Sequence, residues 1–166
     1  MSGTRSPAAD VETRASNDDH DALRAWLRLL ATTNSIEALV RGRLQSGYAT
    51  TLARFDYLAQ LERDPDGLRM RDLSSRLMVT RGNVTGLTDS LEKEGLVIRE
   101  ADAEDGRGFR VRLTAAGRRA FRAMAVEHER WIVDVFAVLS ERELRQLREL
   151  LGRVKSHARD LGRNAS

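Results

Sequence analysis

The chain has 166 residues, with 28 lysines and arginines against 25 aspartates and glutamates and a formal charge of +3, a length that suits one domain with a sizeable core. Cysteine is absent, which excludes disulfides, thiolate metal ligands and thiol-based redox sensing. No apolar run approaches the roughly 18 residues of a membrane span, and MSGTRSPAADVETRASNDD has no apolar segment of the kind a signal peptide requires, so the expected location is cytoplasmic.

Residues 1–18 are polar and aperiodic and are expected to form a disordered tail. From Asp19 the apolar positions Leu23, Trp26, Leu27, Leu30, Leu39, Val40 and Leu44 describe a long helix to Gln45, with a polar interruption at Thr32 to Ser35 and Gly47 as its stop. Thr51 is placed to cap a second helix that turns Leu52, Phe55, Leu58 and Leu61 inward, and Asp64-Pro65-Asp66-Gly67 is a strong turn signal. Met70, Leu73 and Leu77 then repeat at helical spacing, giving a short helix that ends about three residues before Thr80.

The stretch TRGNVTGLTDSLEKEG, Thr80 to Gly95, reads as a helix with two unlike sides. At 3.6 residues per turn, Val84, Leu87 and Leu91 share one side, and Gly82, Thr85, Gly86, Asp89 and Lys93 share the other. Each glycine costs a helix about 1 kcal/mol relative to alanine, so two of them on one exposed side point to a bulky object that must come close. Thr80 is a good N-cap, which turns the first N–H groups and the positive dipole end toward an anion. Arg81, Asn83, Thr85 and Ser90 are of the kinds that bond to base edges and phosphates in a DNA major groove. A short helix, a turn and this second helix have helix-turn-helix spacing.

Gly95 is expected to stop that helix. Leu96 to Glu100 and Phe109 to Leu113 then read as two strands, the second alternating Phe109, Val111 and Leu113 on a packed face with Arg110 and Arg112 on a cationic one. Between them ADAEDGRG forms a hairpin tip presenting Arg107. The fold class expected is therefore mainly α: a winged helix-turn-helix with a small β-hairpin wing. Bulk charge adds little, since Arg69 to Arg112 holds nine basic residues against eight acidic ones, a net of +1.

Taken together, DLSSRLMVTRGNVTGLTDSLEKEGLVIREADAEDGRGFRVRLTAAG resembles the DNA-binding core of the MarR family of bacterial transcriptional regulators. The family's wing reads as D-x-x-D-R-R followed by V-x-L-T-x-x-G, and Asp102, Asp105, Arg107, Val111, Leu113, Thr114 and Gly117 match in register. Gly106 departs from it, standing where the first wing arginine is usual, which leaves Arg107 as the groove-inserting residue. The resemblance runs from about Leu23 to Leu161 and implies an intertwined homodimer with a ligand crevice where its lobes meet. It also implies a small effector, such as an aromatic acid or its CoA thioester.

After the wing, Thr114 is placed to cap a helix of about 25 residues to Leu139, apolar on two stripes (Phe121, Met124, His128, Trp131, Val135 and Val138; Ile132, Phe136 and Leu139). Ser140-Glu141-Arg142-Glu143 is a capping box. The helix it starts has one apolar seam, Leu144, Leu147, Leu151, Val154, Ala158 and Leu161, the pattern of an association element. The expected division is a winged DNA-binding domain at 48–114 and a helical dimerisation region at 19–47 and 115–162. Two recognition helices related by a two-fold axis would enter major grooves about 34 Å apart, so double-stranded DNA bearing an inverted repeat is the expected partner.

The candidate DNA-binding residues are thus Thr80, Arg81, Gly82, Asn83, Thr85, Gly86, Ser90, Arg107 and Arg110. For the last, the plainer alternative is an arginine whose stem only covers the sheet. Trp26, Trp131 and Phe136 are candidates to line an effector pocket, against the commoner role of aromatics at helical spacing as core or interface. His20, His128 and His157 lack metal-binding spacing, and no nucleophile or phosphate loop is recognisable, so neither a metal, a cofactor nor an enzymatic activity is expected. The competing non-enzymatic reading is a winged-helix scaffold for protein association.

Overall fold

The computed structural model describes the backbone of residues 17–77, 80–102 and 108–164, and the side chains of these residues other than 17–19 and 81. Six helices and three strands follow one another as α1 (Asn17–Tyr48), α2 (Leu52–Glu62), β1 (Leu68–Arg69), α3 (Met70–Leu77), α4 (Arg81–Lys93), β2 (Val97–Ala101), β3 (Phe109–Leu113), α5 (Ala115–Phe136) and α6 (Glu141–Asn164). The chain divides into two compact units, residues 1–42 and 43–166.

In the first unit, α1 runs through the polar stretch at Thr32 to Ser35 without a break. The hydroxyls of Thr32, Thr33 and Ser35 turn back and donate to the carbonyls of Arg28, Leu29 and Ala31 at 2.8, 2.9 and 2.9 Å, so they are absorbed by the helix's own backbone. Leu23, Trp26, Leu27 and Leu30 are exposed. The helix also begins at Asn17, so the last two residues assigned to a tail are helical; residues 1–16 lie outside the described residues.

In the second unit, α1 passes Gly47 and ends at Tyr48, where Ala49 takes the left-handed conformation (φ 50°) and its N–H donates to the Gln45 carbonyl at 3.2 Å. Thr51 caps α2, its hydroxyl accepting from the Arg54 N–H at 3.3 Å. The Asp64–Gly67 turn closes with Gly67 at φ +81° and leads into β1, a third strand that sequence periodicity does not reveal because it is two residues long. The sheet is antiparallel in the order β1-β3-β2, with Leu68 and Arg99 both opposite Val111. Val111 and Leu113 are buried, but Phe109 is 57% exposed, which corrects the expectation that it packs. It sits at the far end of the ladder opposite Ala101, whose methyl group gives it little to pack against.

Thr114 begins α5 as expected and also explains the T-x-x-G run. Its hydroxyl accepts from the Gly117 N–H at 2.9 Å and donates to the Gly95 carbonyl at 2.7 Å. A Cβ at Gly117 would stand 1.9 Å from the Leu96 carbonyl oxygen, so only glycine lets α5 lie this close to the end of α4. Helix α5 stops at Phe136, a turn earlier than periodicity suggests, where Ala137 and Leu139 donate to Asp134 and Phe136 in a tightened last turn. Val138, assigned to an apolar stripe, is 85% exposed there.

The capping box at Ser140 is formed reciprocally: Glu143 accepts from the Ser140 N–H at 2.8 Å and hydroxyl at 2.7 Å, while Ser140 accepts from the Glu143 N–H at 3.3 Å. These bonds hold the Glu143 carboxyl below its ordinary range. No helix among the described residues is long and apolar enough to cross a membrane.

Candidate nucleic-acid interface

The core of the second unit exists to hold α4. Val84, Thr88 and Leu91 are fully buried, as are Tyr57, Leu58, Leu61, Leu73, Val97 and Val111 of the elements around it. At the start of α4, Thr80 is in extended conformation and accepts from the Asn83 N–H at 3.4 Å, the N-cap that its position predicts. At the end, Gly95 adopts φ +72°, Gly95 N–H donates to Glu92 and Leu96 N–H to Leu91, both at 2.9 Å. This is a Schellman stop, and the positive φ is what requires glycine there.

On the opposite side Gly82, Asn83, Thr85, Gly86, Asp89 and Lys93 are all exposed. A Cβ built at Gly82 or Gly86 would meet nothing within 4 Å. Neither glycine is therefore required by packing against the described residues, and the two leave a shallow notch over the first turns of α4. Arg81 begins the helix; its side chain lies outside the described residues.

Asp89 puts a negative charge on this same side, and the wing neutralises it. Arg99 of β2 reaches across to pair with both Asp89 and Glu92, and its backbone N–H donates to Glu92 at 3.1 Å. The carboxylate of Asp89 beside it raises the Arg99 pKa further. The acidic half of α4 is thus tied to the wing by a side chain that sequence reasoning assigned only to a strand.

Behind α4, Tyr57 Oη and Thr88 Oγ1 are 2.6 Å apart, and Thr88 Oγ1 lies 2.7 Å from the Val84 carbonyl. The carbonyl can only accept, so Thr88 donates to it and Tyr57 donates to Thr88. Burial pushes the Tyr57 phenol up to about 12.

Ser90 and Arg110 are engaged within the protein. Ser90 is half-buried on the flank of α4 facing α2, where its hydroxyl accepts from Arg54 at 2.9 Å and donates to Glu94 at 3.3 Å. Arg110 is half-buried against the sheet, 3.3 Å from the Asp102 carboxylate and donating to the Gly67 carbonyl at 3.3 Å. Asp102 itself is 2% exposed and takes a second arginine, Arg69, at 2.5 Å. Its burial between two strands' arginines is the structural reason for the first acid of the D-x-x-D run. Arg112 likewise spans to the Pro65 carbonyl at 3.0 Å and to Glu100 at 2.9 Å, so the cationic face of β3 is largely a clamp on the sheet. Arg107 and Gly106 lie outside the described residues.

The aromatic candidates part company. Trp26 is exposed in the first unit. Trp131 and Phe136 are half-buried in the second, with the Arg43 guanidinium 5.6 Å from the Trp131 ring centroid and His128 standing between Trp131 and Phe55 at 6.4 and 4.9 Å. Neither lines the cavity of about 230 Å³ bounded by Tyr48, Thr50, Arg54, Leu58, Glu94, Leu96 and Met124.

Comparison with known proteins agrees with this geometry. The profile described as the MarR family matches residues 50–108, from the cap of α2 to the return of the wing. An uncharacterised HTH-type transcriptional regulator of Bacillus cereus is 31% identical over 134 residues, covering 80% of this chain and 88% of its own length. The HTH-type transcriptional regulator PecS of Dickeya dadantii is 27% identical over 90% of this chain and 93% of its own. Among solved structures, a MarR family transcriptional regulator from Silicibacter pomeroyi superposes with a TM-score of 0.71 at 32% identity, covering 86% of this chain and 99% of that one. The chain belongs to the MarR family of winged-helix, DNA-binding transcriptional regulators.

Proposed function

We propose that this regulator is a repressor that binds an inverted repeat as a homodimer and is released by a small ligand. The observation that carries the DNA-reading assignment is the open, glycine-notched side of α4 beside a properly capped N-terminus. Gly82 and Gly86 let the duplex approach, Asn83 and Thr85 meet base edges, and Thr80, Arg81 and the first N–H groups of α4 meet phosphate. Arg107, from its place in the wing motif, is assigned to the flanking minor groove. Ser90 and Arg110 are left out of this set because of their bonds within the protein.

Two copies are supported by α6. None of its residues is buried within the chain, and Leu150, Leu151, Val154 and Leu161 are exposed along it, an apolar seam that association would remove from water. Ligand release is supported by the cavity beside Arg54; its volume of about 230 Å³ suits a single-ring aromatic acid and leaves a CoA moiety outside.

The test is a binding titration on the DNA flanking the protein's own gene, across a salt series. Sequence-dependent binding to an inverted repeat, with log K falling linearly in log salt, supports the regulator. Arg107→Ala should reduce that slope by about 1 per subunit. Absence of any sequence preference would sink the DNA-reading assignment.

A further inference from the structure

Apolar packing buries one side of α4 and so sets its rotation coarsely, but the contacts are individually weak and non-directional and leave the last few degrees to other groups. Directional bonds refine that angle. From α2 there are two: the buried Tyr57–Thr88 bond near the middle of α4, and a second brace at its C-terminal end. In the second, the Arg54 guanidinium donates to Ser90 and pairs with Glu94, two acceptors one helical turn apart on the same flank. Ser90 in turn donates to Glu94, closing a three-membered network.

Arg54 suits this task better than a core role. Its side chain is only 20% exposed although α2 already packs through Phe55, Leu58 and Leu61, so the fold has placed a charge where an apolar residue would also serve. The group is well anchored, since the Thr51 cap fixes the first turn of α2 from which Arg54 projects. Glu94 is the C-cap residue of α4, so the brace grips the helix where it would otherwise fray. The forked guanidinium matches two acceptors at once, which a lysine ammonium could not do with the same geometry. In agreement, the hydrogen bond from Arg54 holds the Glu94 carboxyl below its ordinary range.

We infer that Arg54 is a positioning residue for DNA reading: acting through Ser90 and Glu94, it fixes the rotation of α4 that presents Gly82, Asn83 and Gly86 to the groove. This rests on the assignment of the α4 notch made above. Arg54 itself touches no DNA, being turned inward from α2, and this separates it from every arginine that would bind phosphate.

The experiment measures operator and non-specific DNA affinity over a salt series for the full chain and for Arg54→Met, Glu94→Gln, the double variant, and the exchange Arg54→Glu with Glu94→Arg. Arg54→Met should weaken operator binding by about tenfold or more while leaving the salt slope and non-specific affinity as they were. Glu94→Gln should weaken it in the same direction by less, and the double variant should be no worse than Arg54→Met, since both remove one interaction. The exchange should recover part of the loss. Operator affinity within about twofold of the unaltered protein in both single variants would overturn the inference. So would a salt slope lowered by about 1 per subunit with non-specific binding lost in step, which would make Arg54 a phosphate contact. Should Arg54→Met fail to fold, Glu94→Gln decides the question alone. Failure of the underlying DNA-reading assignment is seen separately, as an unaltered protein with no sequence preference before any variant is made.

Discussion

Helices α4 and α6 carry apolar seams of similar composition, and within one chain those seams meet opposite fates. Val84 and Leu91 of α4 are fully buried, whereas no residue of α6 is fully buried and Leu151 and Val154 stay exposed at 38% and 63%. The longer seam of α6 already reads in the sequence as an association element. What separates the two seams is the supply of partners: α2, α3 and the sheet surround one side of α4, so its remaining exposed side is spare by design, while α6 has an apolar side still to be covered. In α4 the exposed side is polar and notched; in α6 it is aliphatic, a surface that association would remove from water.

The largest test of this contrast is truncation in each seam. Leu91→Ala should lower the unfolding free energy by about 2–5 kcal/mol, the ordinary loss for a buried leucine, read by denaturant titration. Leu151→Glu should leave helix content by circular dichroism intact and weaken self-association by about tenfold or more in sedimentation. Unchanged association in that variant would break the comparison.

A second test probes the rear of α4 through pH. Tyr57 ionises near 10 when unfolded and at about 12 when folded, so between these values the unfolded chain binds fewer protons and stability falls as pH rises. The slope approaches about 1.4 kcal/mol per pH unit between the two values, and the loss reaches about 2.3 kcal/mol by pH 12. Lys93 and Lys155 are the only lysines and Tyr48 the only other tyrosine, so few other groups enter this range. Tyr57→Phe should flatten the slope; a slope that survives would mean the buried phenol is not its source.

The front of α4 gives the smaller effects. Asn83→Ala should lose about 1–3 kcal/mol of discrimination at one base pair if the amide reads adenine, measured by competition among operator variants, and an unaltered preference would remove Asn83 from base reading. Gly86→Ala should act with opposite signs on two properties: unfolding free energy rises by about 1 kcal/mol or less, because the position is helical and open, while operator affinity falls. A variant that gains stability and loses no affinity would show that the notch is not needed for approach.

Local chemistry accounts for most of what was legible in the sequence. Thr51, Thr80, Thr114 and Ser140 each cap the helix that follows, and Gly95 ends α4 in the conformation its residue type suggests, because caps and stops are decided by neighbours within a few residues. Features decided at long range were not legible. Thr88 has the look of a surface threonine and is fully buried, because its partner Tyr57 is 31 positions away. Arg110 and Ser90 have the chemistry of DNA contacts, yet Asp102 and Arg54 engage them within the protein. The polar interruption at Thr32 to Ser35 sits inside one continuous helix for a local reason too: short hydroxyls satisfy themselves on the preceding turn and leave the helix intact.

The clamp on Asp102 has an evolutionary corollary. Two arginines hold its carboxylate, and its own N–H donates to the Gly108 carbonyl at 2.8 Å, so the chain leaves the sheet and rejoins it at a pinned gate. Residues 103–107 can therefore be exchanged, lengthened or recharged with only a slowly growing closure entropy and without disturbing the strands on either side. The register of the two strands is thus fixed at residues 102 and 108, ahead of whatever sequence joins them.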